Sequence, residues 1–166
     1  ALTAGMVSVR HDRLDAVPLI SEIVYQWKLT QAEEVAEPVL HMPINPLFLR
    51  GDSLRIQQII VNLLNNSVQA KAPDLRVQLT IELLEQQGHG FAEISVQDNG
   101  LGISSNHSEH VFEAFFRGSA KQSTLRGLGL GLTFSRLLAE SMNGSLVLEE
   151  HSDKGCTFVL SLPLDD

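Results

Sequence analysis

The run Gln57-Gln58-Ile59-Ile60-Val61-Asn62-Leu63-Leu64-Asn65-Asn66-Ser67 reads as a helix with two unlike faces. Residues four apart on a helix stack on one side, so Asn62 and Asn66 project together and Gln58 and Gln69 extend the stripe. Ile56, Ile60, Leu63 and Leu64 lie opposite and form a packing face. Such a helix needs an apolar layer beneath it, while its amide face stays available to water or to a ligand.

Segments of period two supply that layer. Met6 to Arg10 reads as a strand, and Val17 to Lys28 as a helix with Ile20, Ile23, Val24 and Trp27 inward. Val39 to Met42 and Leu47 to Arg50 are short strands flanking a proline-bounded turn. Asp52 or Ser53 caps the asparagine helix, which ends before Pro73. Arg76 to Glu85 and Phe91 to Gln97 form strands around Gly88-His89-Gly90. Leu130 to Met142 is a helix ended by Asn143-Gly144, and Ser145 to Glu150 and Thr157 to Leu162 close the sheet across Asp153-Lys154-Gly155. Ser104 to Arg126 has little strong periodicity. The pattern predicts an α/β (α+β) two-layer sandwich, a mixed, mainly antiparallel sheet packed on helices, as a single domain over residues 1–166.

Three segments carry candidate chemistry. Magnesium takes hard oxygen ligands and keeps several waters, so one asparagine oxygen plus nucleotide phosphates can complete its shell. Asp98 falls where the alternating strand stops, beside Asn99-Gly100-Leu101-Gly102, and a carboxylate there can accept from the exocyclic amine of adenine. Gly127-Leu128-Gly129-Leu130-Gly131-Leu132 opens into a helix, and glycines in a first turn expose N–H groups at the positive end of the dipole. Each has a plainer reading: a solvated amphipathic helix, an Asp-Asn-Gly turn, a flexible hinge.

With 166 residues, 43% of them hydrophobic, the chain is long enough for one domain with a sizeable core. A net charge of −8 argues against general nucleic-acid binding, which asks for a basic surface. A bound nucleotide needs only local positive potential, and Arg117, Lys121 and Arg126 offer it, unless they belong to a solvated loop. Cys156, the one cysteine, excludes an intramolecular disulfide and is expected as a packed strand residue. His107 and His110 stand at helical spacing, but no carboxylate or cysteine pattern accompanies them to make a zinc site. No apolar run approaches a membrane span, so no membrane contact is expected from this fragment.

The ordered segments Asn62-Leu63-Leu64-Asn65-Asn66-Ser67, Asp98 to Ile103, Phe112-Glu113-Ala114-Phe115-Phe116-Arg117 and Gly127 to Leu132 resemble the N, G1, F and G2 boxes of sensor histidine kinases, in the GHKL superfamily. The tail from Gly144 to Phe158 resembles that domain's closing strands, and the likeness covers Leu47 to Leu164. It implies the Bergerat ATP-binding fold, ATP and Mg2+ as ligands, Asn66 as the metal-coordinating and catalytic asparagine, and Asn62 as its catalytic partner near the phosphates. It places Asp98, Gly100, Gly102 and Ile103 at the base and Gly127, Gly129, Leu130, Gly131 and Leu132 at the lid hinge and phosphates. Arg117 and Lys121 join the nucleotide contacts, and Thr157 lies where the family often carries a hydroxyl near the adenine-binding Asp. Asn66-Ser67-Val68-Gln69-Ala70 is similar to nitrogen-regulatory and C4-dicarboxylate sensor kinases, whereas many other members have a basic then an aromatic residue at Gln69 and Ala70.

The implied activity is transfer of the γ-phosphoryl of ATP to a histidine on a separate dimerisation and phosphoacceptor domain, in a two-component system with a response regulator receiver domain. The implied parent is a homodimer tethered to the bacterial inner membrane, with this domain in the cytoplasm. Residues 1–14 are expected to be a linker and first strand after that phosphoacceptor domain. His11-Asp12 superficially resembles the acceptor motif, but Pro18 falls two positions too late, so the fragment alone is expected to lack autokinase activity. Two alternatives stand beside this: an ATP-hydrolysing conformational switch of the gyrase or chaperone type, and a regulatory module that binds nucleotide without transfer. The switch enzymes carry a base-forming Glu four residues before the metal-binding Asn; this chain has Asn62, and an amide cannot take a proton from water.

Overall fold

The computed structural model describes residues 7–69, 74–100, 128–152 and 155–165. Its elements are β1 (Asp12–Asp15), α1 (Ala16–Leu29), β2 (Val39–His41), β3 (Phe48–Gly51), α2 (Ser53–Gln69), β4 (Val77–Gln86), β5 (His89–Asp98), α3 (Leu128–Ser141), β6 (Ser145–Ser152) and β7 (Gly155–Pro163). Five strands form one sheet in the order β2-β4-β5-β7-β6; β2 runs parallel to β4 and the other pairs are antiparallel. β1 and β3 pair separately, with Leu14 opposite Leu49.

Alternation decides which side of the sheet is buried. Val77, Leu79 and Ile81 of β4, Ala92, Ile94 and Val96 of β5, and Phe158, Leu160 and Leu162 of β7 share one parity and pack under the helices. From the helix layer, α1 contributes Ile20, Ile23, Val24 and Trp27, and α2 contributes Ile56, Ile59, Ile60, Leu63 and Leu64. On the other face His41 Nε2 and Gln78 Oε1 lie 2.9 Å apart, and Gln78 Nε2 donates to Gln97 Oε1 at 2.9 Å, a polar ladder across three strands. The mixed, mainly antiparallel two-layer arrangement expected from the sequence is the one observed.

Asp52 is the cap of α2. Its Oδ1 accepts from the N–H groups of Leu54 and Arg55 at 3.1 and 3.3 Å, and its Oδ2 accepts from Arg10 N–H at 3.0 Å. That last bond corrects one expectation: no strand covers Val7 to Arg10. The Val7 N–H donates to Ser141 Oγ and the Arg10 N–H to Asp52, so side chains replace a ladder there and the first strand begins at Asp12. The β4–β5 connection is also tighter than expected. Gln87 and Gly88, with φ of 52° and 81°, make a two-residue turn with the positive dihedrals a right-twisted hairpin favours, and His89 and Gly90 belong to β5. At the far end Asn143 takes φ 65° and the Gly144 N–H reaches back to Ala139 O at 2.9 Å, which ends α3.

Candidate functional site

Asp98 closes β5 with the parity of Ala92, Ile94 and Val96, hence on the helix side of the sheet. Its two carboxylate oxygens are held by different elements: Oδ2 accepts from the Ser67 hydroxyl at 2.9 Å, and Oδ1 from the Gly100 N–H at 2.9 Å. The first bond joins the sheet to α2, and the second is a local turn that fixes the main chain two residues on. Each oxygen retains a lone pair, so the carboxylate can still accept from a ligand. Asn99 anchors the same corner, accepting from Arg76 N–H at 2.6 Å and donating to Asp74 O at 3.1 Å. Gly155 passes over this peptide at φ 138°; a Cβ there would collide with the Asp98 carbonyl oxygen.

The register of β7 corrects the expectation for Thr157. Asp98 is paired with Cys156, and Thr157 with Gln97, so Thr157 takes the parity of the outer polar ladder and points away from the Asp98 carboxylate. Cys156 fills the position opposite Asp98 on the inner face. Its thiol is pushed up to about 12, first by burial and then by the negative charge of Asp98.

Along α2 the amide stripe divides. Gln58 and Gln69 are exposed, and Gln58 Oε1 accepts from Arg55 Nη1 at 3.0 Å. Asn62 and Asn66, one turn apart, are half-buried. The Asn62 Nδ2 donates to Ser135 Oγ at 3.2 Å, and its Oδ1 lies where a Cβ on Gly131 would be only 2.7 Å away. Gly131 is therefore glycine because α3 presses on Asn62. Gly129 and Leu130 lie in the first turn of α3, with their N–H groups toward the positive end of its dipole. The hinge expected at Gly129 and Gly131 is helical, and Leu132, expected at the cofactor, has its side chain in the core. Gly102, Ile103, Arg117, Lys121 and Gly127 lie outside the described residues, as does the segment from Ser104 to Arg126 that the resemblance implies as a lid.

Helix α2 is thus the piece that brings the segments together: Ser67 holds Asp98, Asn66 is its neighbour, and Asn62 meets Gly131 and Ser135 of α3. Among the described residues Asn66 makes no side-chain hydrogen bond, and no three His, Cys, Asp or Glu side chains cluster to cage an ion. A single free amide oxygen suits magnesium, which dehydrates reluctantly and takes the rest of its shell from water and phosphate.

Ser67, Ser135, Asn99 and Cys156 were not among the site residues expected from sequence. Ser67 had left a signal, since it continues the apolar face Ile56, Ile60, Leu63 and Leu64 at helical spacing, and a hydroxyl on such a face calls for a partner. Asn65, off the stripe, accepts from the Trp27 indole N–H at 2.9 Å and ties α1 to α2.

The family of histidine kinase-, DNA gyrase B-, and HSP90-like ATPases matches residues 51–166. The sensor protein RprX of Bacteroides fragilis is 28% identical over 167 residues, covering 95% of this chain and 30% of that protein. The sensor histidine kinase RppB of Synechocystis is 34% identical over 115 residues, covering 69% of this chain and 24% of that protein. The chain therefore spans under a third of the length of these curated relatives. Among solved structures, full-length ShkA in complex with AMPPNP superposes with a TM-score of 0.78 at 23% identity, over 98% of this chain and 33% of that one. At that identity the likeness is one of fold.

Proposed function

The chain belongs to the family of histidine kinase-, DNA gyrase B-, and HSP90-like ATPases, and from that premise we propose that it binds Mg-ATP and passes the γ-phosphoryl group to a histidine on a separate phosphoacceptor domain. The observation that carries this reading is the Asp98 carboxylate, anchored by Ser67 one residue from Asn66, on the helix that also meets the head of α3 through Asn62. Asp98 would accept from the adenine 6-amino group, Asn66 would hold the metal, and the first turn of α3 would face the phosphates. The AMPPNP in the ShkA structure supports a nucleotide in this fold. Magnesium, when bound, neutralises charge on the phosphates. The protein's own share is placement: phosphoryl transfer asks little covalent chemistry of side chains, and a neutral imidazole is already a nucleophile.

Hydrolysis as the main activity is disfavoured by Asn62. Its amide donates to Ser135 and has no proton-accepting group to offer an attacking water. The parent chain is proposed to be a homodimeric sensor kinase at the bacterial inner membrane, signalling to a response regulator; a kinship with nitrogen-regulatory and C4-dicarboxylate kinases is proposed from Asn66 to Ala70 alone. Among the described residues no helix is long and apolar enough to cross a membrane.

The decisive experiment mixes this chain with the phosphoacceptor segment of its parent, labelled ATP and magnesium, and assays acid-labile phosphohistidine. Label on the acceptor histidine supports transfer. ATP turnover to free phosphate, with no label on the acceptor, rejects it.

A further inference from the structure

Ser67 is 3% exposed and sits on the apolar face of α2, where a hydroxyl is costly unless it is bonded. Its bond goes to Asp98 Oδ2, across from a different layer of the fold. The neighbouring strand offers no equivalent: Thr157 is paired with Gln97 on the other face, and the residue opposite Asp98 is Cys156, whose thiol is a weak donor. We propose that Ser67 is a positioning residue for purine recognition, and that its hydroxyl, rather than one from β7, sets the plane in which Asp98 accepts a 6-amino group. This rests on the adenine role of Asp98 proposed above.

The chemistry follows from counting donors. A carboxylate turns easily about its last torsion, which is broad and two-fold. Here one oxygen is taken by a side chain of a rigid helix and the other by a main-chain N–H, so the plane is fixed by two independent elements. The lone pairs left over can only accept. A 6-aminopurine presents a donor to them, whereas a 6-oxopurine sets oxygen against oxygen. Losing the Ser67 donor frees the carboxylate to rotate, which weakens the match to the amine and relaxes the penalty on the carbonyl.

A purely structural Ser67 would hold α2 to β5 and nothing more, so the test reads base preference as well as stability. Adenosine, inosine, ATP and ITP are competed against a fluorescent nucleotide on the 166-residue chain, with thermal unfolding in parallel. Ser67→Ala should weaken adenosine and ATP by the same factor, about tenfold, and shrink the preference over inosine and ITP to match. Ser67→Thr, which keeps the hydroxyl, should restore the preference. In an Asp98→Asn background Ser67→Ala should add less than about twofold, because the two act as one unit. Ser67→Cys, nearly the same shape with a weak donor, repeats the measurement should the alanine variant fail to fold. An unchanged purine preference in a folded Ser67→Ala or Ser67→Cys chain overturns the inference, as does an undiminished effect without the Asp98 carboxylate. If the unsubstituted chain binds neither adenosine nor ATP, the adenine reading of Asp98 fails first and takes this inference with it.

Discussion

Replacing Gly131 with alanine sets two effects against each other at the contact between α2 and α3. In a helix interior alanine is favoured over glycine by about 1 kcal/mol. The new Cβ, however, would lie 2.7 Å from Asn62 Oδ1 and 3.2 Å from its Cγ and Nδ2. What it meets is the end of a side chain and not main chain, so the amide swings aside and the helices keep their places. That movement breaks the 3.2 Å bond from Asn62 to Ser135, a loss of about 1 kcal/mol, and leaves Ser135, only 3% exposed, to find another partner. Residual crowding adds about 1 kcal/mol more. The net expectation is a destabilisation of about 1 kcal/mol, a fall of roughly 2–4 °C in the unfolding midpoint. Activity should respond far more strongly, because a group displaced by about 1 Å in a positioning site costs on the order of 100-fold in rate. The assay pairs calorimetric unfolding with phosphotransfer from labelled ATP to the phosphoacceptor segment. Asn62→Ala should produce a similar loss, and the double variant little beyond either alone. A folded Gly131→Ala chain that transfers at the normal rate would refute the placement of Asn62 at the reacting phosphates.

Asp98→Asn should weaken ATP binding by about tenfold to a hundredfold, the worth of a hydrogen bond to a charged acceptor, and unchanged affinity by titration calorimetry would remove Asp98 from the base site. Gly155→Ala should cost about 3 kcal/mol or more, since φ 138° is a glycine conformation and its collision is with main chain; a denaturant midpoint near that of the parent would contradict the close passage over Asp98. Asp52 should contribute to acid unfolding. Burial pushes its carboxyl up, but the N–H groups of Arg10, Arg55 and Leu54 and the charge of Arg55 together hold it below the ordinary 3.8. With the folded value the lower one, its stabilisation is complete above about 3.8 and is lost as pH falls toward the folded value, so Asp52→Asn should flatten the stability profile there. Equal slopes in the two chains would dismiss it. Cys156, buried and pushed up to about 12, should alkylate at pH 8 only as fast as the chain opens; rapid labelling of the folded protein would contradict the packing of β7.

The parts of the fold that were legible in the sequence are those decided by local periodicity. Ile20, Ile23, Val24 and Trp27, and Ile56, Ile60, Leu63 and Leu64, announce their helices through a spacing that any long apolar layer would satisfy. The misplaced first strand failed for the opposite reason. Val7 and Val9 alternate as a strand does, but the partners of that backbone are Ser141 and Asp52, which are 134 and 42 residues away from the groups they bind. The hairpin turn was blurred by two glycines around His89. Of the two only Gly88 takes positive φ; Gly90 is held in the strand by its pairing with Glu85 and by its carbonyl, which accepts from Leu164 N–H, and a Cβ there would meet Leu164 Cδ1 at 2.5 Å. Thr157 shows how little separates a right segment from a wrong residue. The strand expected over Thr157 to Leu162 is present and begins two residues earlier, at Gly155, and a shift of one position in a period of two decides which side chain shares a face with Asp98.

The same parity argument, applied to a helix, explains why α2 can serve two sides of the proposed site at once. Consecutive helical residues point about 100° apart, so Asn66 and Ser67 cannot share a face. Asn66 faces with Asn62 toward the half-buried edge that α3 borders, while Ser67 turns under the helix to the sheet and grips Asp98. From Asn62 to Ser67 the axis advances only about 7.5 Å. A rigid rod of that length, clamped at one end by Asp98 and pressed at the other by Gly131, leaves little freedom between the group that would read the base and the group that would stand at the phosphates. Substitutions that alter the packing of Leu63 or Leu64 beneath this stretch should therefore degrade nucleotide affinity and phosphotransfer together, even though both side chains are buried in the core.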